Sequence, residues 1–74
     1  MNDDDFLGYA WLHARTPRAL FAVEDIQRLH KLAGTACPEL PEKGFLAMRS
    51  DYANPLIERA RVRRRLVVLP GGRS

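Results

Sequence analysis

Residues 59 to 72 read RARVRRRLVVLPGG, in which five arginines are set against an apolar run closed by Pro-Gly-Gly. A guanidinium pairs bidentately with carboxylate or phosphate and stacks on flat rings. Arg59, Arg61, Arg63, Arg64 and Arg65 are therefore the candidate contacts to a partner or to a nucleic-acid backbone. Their plainer reading is a solvated charged face. Tyr9 and Trp11 are the candidate protein-interface anchors, because tyrosine and tryptophan recur among the residues that dominate binding energy. Together with Phe6 they would otherwise serve core packing; a base-stacking platform is less expected, since single-strand readers stack bases on a sheet or groove beside basic residues.

The remaining reactive side chains make a weak case for catalysis. His13, His30 and Cys37 have neither zinc-finger spacing nor a CxxC pair, so no metal site is expected. Cys37 follows His30 by seven residues, but no third group orients the pair. The proline after Cys37 marks a loop instead of a helix N-terminus that would activate the thiol. Cys37 reads as a free structural thiol and His30 as a packing or capping residue. No Walker A loop, GxGxxG, GxSxG or HExxH occurs. The chain is expected to be non-catalytic and to need no cofactor.

The elements that must position these residues follow from spacing and punctuation. Asp3, Asp4 and Asp5 precede FLGYAWLHAR and suit the N-terminus of a first helix, one of them as its cap. Leu7, Ala10, Trp11 and Ala14 fall at helical spacing, and Thr16-Pro17 ends the run. A second helix begins either at once, with Thr16 as cap, or near Val23 after an extended RALFA. From Val23, the stripe Ile26, Leu29, Leu32 and Ala33 continues to a C-terminal Gly34. TACPELPEKG, residues 35 to 44, is an extended connector. Phe45 to Met48 suits a short strand, and Asn54-Pro55 suits the cap and first turn of a brief helix through LIERA. The arginine run is read as helix to about Arg61, a transition, and strand from Arg65 to Leu69. The expected class is α+β, a small single domain over residues 1–74 with two N-terminal helices and a short C-terminal β element. Residues 1–5 and 70–74 are expected to be flexible.

At 74 residues, 46% of them hydrophobic and 28% charged, the chain suits one folded domain with a modest core. Its net charge of +3 is uneven. Residues 1–48 hold five Lys/Arg against seven Asp/Glu, and residues 49–74 hold seven against two. Such a gradient favours a surface that meets something acidic. No apolar stretch, Leu66 to Leu69 included, is long enough to span a membrane, and the acidic MNDDDF lacks the positive start of a signal peptide. One cysteine fits a reducing compartment, so the expected location is cytoplasmic.

VEDIQRLHKL, residues 23 to 32, resembles the helix that opens Fic-type adenylyltransferase domains. The HPFxxGNGR loop of that family is absent, so the resemblance carries no catalytic role. In size, charge layout and arginine content the whole chain resembles the small transcription regulators that lytic phages direct against host RNA polymerase. That resemblance implies a monomeric regulator in the host bacterial cytoplasm, displacing the sigma factor to inhibit initiation and later suppressing termination. The helical half would dock near the RNA exit channel, and the arginines would face nucleic acid or acidic polymerase surface. The alternatives are an autonomous nucleic-acid-binding protein and a small antitoxin or enzyme inhibitor.

Overall fold

The computed structural model describes residues 1–68, in the order α1 (Asp3–His13), β1 (Arg18–Ala22), α2 (Val23–Ala33), β2 (Phe45–Arg49) and α3 (Ser50–Val68). Asn2, not an aspartate, caps α1: its side-chain oxygen accepts from the Asp5 N–H at 2.7 Å. The three aspartates fill the first turn, where the helix dipole favours negative charge. The helix ends at His13, ahead of Thr16-Pro17. RALFA is extended, as β1, and α2 starts directly behind it at Val23.

β1 and β2 form a two-stranded antiparallel ribbon in which Arg18 faces Arg49, Leu20 faces Ala47 and Ala22 faces Phe45. Its inner face carries Ala19, Phe21 and Met48 into the core, while Leu20 and Phe45 stay exposed on the other. The alternation follows from the two-residue period of a strand. Gly34 closes α2 with φ +72°, a left-handed turn that glycine adopts without strain.

The β element lies in the middle of the chain, and the described C-terminal residues are helical. That corrects the expected order and two local readings. Asn54-Pro55 does not open a helix, because α3 has already begun at Ser50, whose N–H bonds to the Pro17 carbonyl at 3.1 Å as the ribbon ends. Residues 65–68 are helix instead of strand. The buried Ala53, Leu56, Ile57 and Ala60 follow a 3.6-residue period, and the helix extends through the valine-rich run beyond them. Leu69, the Pro-Gly-Gly closure and the expected flexible end lie outside the described residues.

Phe6, Leu7, Ala10, Phe21, Ile26, Leu29 and Ile57 bring all five elements but β2 into one core, which Met48 completes from β2. The long helix α3 packs between α1 and α2. Its two flanks therefore face different neighbours.

Candidate partner-binding surface

On a helix, residues 59 and 63 share one flank and residues 61 and 65 share another, because each pair is four apart. The first flank meets the C-terminal end of α2. Arg59 Nε donates to the Ala33 carbonyl at 3.0 Å. The Arg63 guanidinium lies over Gly34, so close that a Cβ on Gly34 would sit 2.5 Å from Arg63 Cζ. Unpaired carbonyls and the negative dipole end attract both cations. Arg59 and Arg63 thus hold α3 to α2.

Arg64 turns toward α1. Its Nε lies 3.3 Å from Asp4 Oδ1, and its Nη1 lies 3.9 Å from Asp3 Oδ2. Arg28 of α2 joins the same group, with Nη2 2.6 Å from Asp3 Oδ1 and 3.1 Å from the Met1 carbonyl. The hydrogen bond from Arg28, with the charge of Arg64 behind it, holds the Asp3 carboxyl below its ordinary range. The acidic first turn of α1 is therefore the internal counter-charge to Arg64 and Arg28.

Arg61 and Arg65 remain on the outer part of the α1 flank. The Arg61 guanidinium carbon is 5.7 Å from the Trp11 ring centre, and that of Arg15, one turn after Trp11, is 4.7 Å from it. Both distances suit cation–π attraction. Beside them is an open hollow of about 340 Å³ lined by Asp4, Leu7, Gly8, Arg61, Arg64 and Arg65. Nothing stands within 4 Å of where a Gly8 Cβ would be, so the missing side chain leaves its wall open. Leu12 and Val62, on adjoining strips of α1 and α3, are exposed.

No protein-family model, curated protein or solved structure matches this chain. The reading of the surface therefore rests on its own geometry. Trp11 lies on it, with Arg61 and Arg65. Tyr9 does not: its ring stacks on His13 at 5.3 Å and meets Phe21 edge-on at 6.4 Å, on the ribbon side of α1. His13 Nε2–H donates to the Leu20 carbonyl at 2.7 Å, tying α1 to β1. Arg15 and Gly8 were not singled out from sequence. Arg15 is signalled there by its spacing of four from Trp11, whereas Gly8 reads only as a helix-weakening residue.

The second histidine makes a buried polar tie. The Thr35 hydroxyl donates to the His30 carbonyl at 3.4 Å, so its oxygen is free to accept from Nδ1–H at 3.0 Å. Nε2 then accepts from the Tyr52 hydroxyl at 2.9 Å. Burial lowers the His30 pKa, opposed in part by the polar backbone of Ala36. A neutral imidazole in this chain joins α2, the connector and α3. Cys37 is exposed, which departs from the usual place of a structural thiol. Among the described residues no three His, Cys, Asp or Glu side chains converge to hold a metal ion, and no helix is long and apolar enough to cross a membrane.

Proposed function

We propose that the protein is a non-catalytic regulator that binds an acidic protein surface through the α1–α3 face, with Trp11 as anchor and Arg15, Arg61 and Arg65 as its charged contacts. The observation that carries this reading is Trp11 with the guanidinium groups of Arg15 and Arg61 against its ring, beside an open, arginine-walled hollow. Tryptophan and arginine are enriched at the energetic centres of protein interfaces. Leu12 at 65% and Val62 at 44% exposure add apolar area that a protein partner would cover and a phosphate backbone would not. Bacterial RNA polymerase is the partner to test first, on the whole-chain resemblance to phage-encoded regulators. Inhibition of initiation and suppression of termination are the activities that reading implies.

Purified protein is titrated against core RNA polymerase, and in parallel against duplex DNA and single-stranded RNA at two salt concentrations. Polymerase should bind, and Trp11→Ala and Arg61→Ala should each weaken binding by about tenfold or more, as loss of a binding hot spot does. Run-off transcription from a sigma-dependent promoter should fall in proportion. Tight binding to naked nucleic acid with a steep salt dependence, and none to polymerase, would replace this reading by an autonomous nucleic-acid binder.

A further inference from the structure

The two edges of the ribbon are treated differently. Val23 N–H bonds to the Gly44 carbonyl and Ser50 N–H to that of Pro17, so odd-numbered residues of β1 and even-numbered residues of β2 point their backbone groups between the strands. By the alternation of an antiparallel pair, Arg18, Leu20 and Ala22 then point their groups off the β1 edge, and Phe45, Ala47 and Arg49 point theirs off the β2 edge. At the β1 edge the Leu20 carbonyl is taken, by the His13 side chain of α1. At the β2 edge, the Ala47 N–H and carbonyl find no partner among the described residues. Native edges are usually blunted by proline, lysine or a bulge. FLAMR has none of these, and its one charged side chain, Arg49, stands at the end of the strand.

We propose that β2 pairs antiparallel with β2 of a second copy, centred on Ala47, to make a two-fold dimer with one continuous sheet. Three features of the same strand point to a second copy as the occupant. The central Ala47 residues exchange both backbone bonds, as the hydrogen-bonded pair of an antiparallel ladder. On the outer face, each Phe45 lies opposite the partner's Arg49, ring against guanidinium, and the small Ala47 pair between them leaves room for both. Phe45 is otherwise 71% exposed.

The third feature lies on the inner face. Beneath the β2 edge is an open, largely apolar groove of about 360 Å³, whose walls include Ile26, Leu40, Leu46, Met48 and Tyr52. The same register sets the partner's Leu46 opposite Met48, on the inner side, where it fills this groove. The exchange is reciprocal, as an isologous contact requires. Backbone groups, outer pairs and inner groove thus agree on one register. This dimer departs from the monomer expected from sequence and does not depend on the proposed regulatory role.

Sedimentation equilibrium of the full chain should give twice the chain mass at about 100 μM, a concentration that populates even a modest interface. Ala47→Pro removes an N–H that the fold does not use and should weaken the dimer at least tenfold. Phe45→Arg places like charges opposite each other and should do the same, whereas Phe45→Glu places a carboxylate opposite Arg49 and should keep the dimer. Circular dichroism checks that each variant is folded. A monomer throughout, or a dimer indifferent to both Ala47→Pro and Phe45→Arg, overturns the proposal. Equal loss with Phe45→Glu and Phe45→Arg overturns the register.

Discussion

His30 and Gly34, four residues apart, are each constrained by what covers them. The imidazole is buried and accepts from Tyr52, and burial lowers its pKa. In the unfolded chain a histidine titrates near about 6.5, so below that pH the unfolded state binds a proton that the folded state resists. The stability that His30 contributes is fully present above the unfolded pKa and is lost as pH falls through it toward the folded value. Melting temperature should therefore drop between about pH 7 and pH 5, and His30→Gln should flatten that slope even if it lowers stability at both ends. Asp3 acts in a lower window: Arg28 holds its pKa down, so its contribution disappears only as pH falls below the ordinary carboxylate range. Gly34 answers to two demands, a left-handed φ and the Arg63 guanidinium above it. Gly34→Ala should destabilise by more than about 1 kcal/mol. Adding Arg63→Ala should recover the steric part and leave the backbone part, a non-additivity that a double-mutant cycle in urea measures.

At the scale of elements, α3 carries a defect that substitution can expose. Pro55 is its sixth residue, past the first turn, where a proline leaves a carbonyl one turn earlier without its helical bond. The neighbouring Asn54 Oδ1 is also buried without a partner. Pro55→Ala should raise the melting temperature, by about 1 kcal/mol or more of added stability, and far-ultraviolet dichroism should show no loss of helix. Asn54-Pro55 resembles a helix start in sequence because local preference says so. The actual start is set by the ribbon, which delivers Ser50 already bonded to Pro17, and no local signal contains that contact. Elsewhere punctuation is informative: Gly34 ends α2 and Phe45 to Met48 lie in a strand, while RALFA, open in sequence between helix and extended chain, is the strand paired with it. At the end of the arginine run valine content favours a strand, whereas the structure carries α3 through Val68. A transition after Arg61 and a strand from Arg65 would part those two side chains; as one continuous helix, Arg63 turns to α2 while Arg61 and Arg65 line the same hollow.

For the whole molecule, the two flanks of α3 separate holding from contacting. Arg59, Arg63 and Tyr52 look toward α2, the connector and the groove under β2. Arg61 and Arg65 look toward α1 and the hollow beside Gly8. Pairing through β2 would thus leave the α1–α3 face of each copy uncovered, and a dimer would present that face twice. Two linked sites bind a densely displayed partner more tightly than one, because the second contact forms at high effective concentration. Ala47→Pro should therefore leave the affinity for a sparse, surface-immobilised partner unchanged and slow no association. At high density it should speed dissociation by about tenfold or more, the range in which avidity operates. Arg61→Ala should weaken binding at both densities, since it removes the contact itself. Comparing dissociation at two loading densities separates the two roles: a density-independent effect of Ala47→Pro would mean that the β2 edge is itself part of the partner contact.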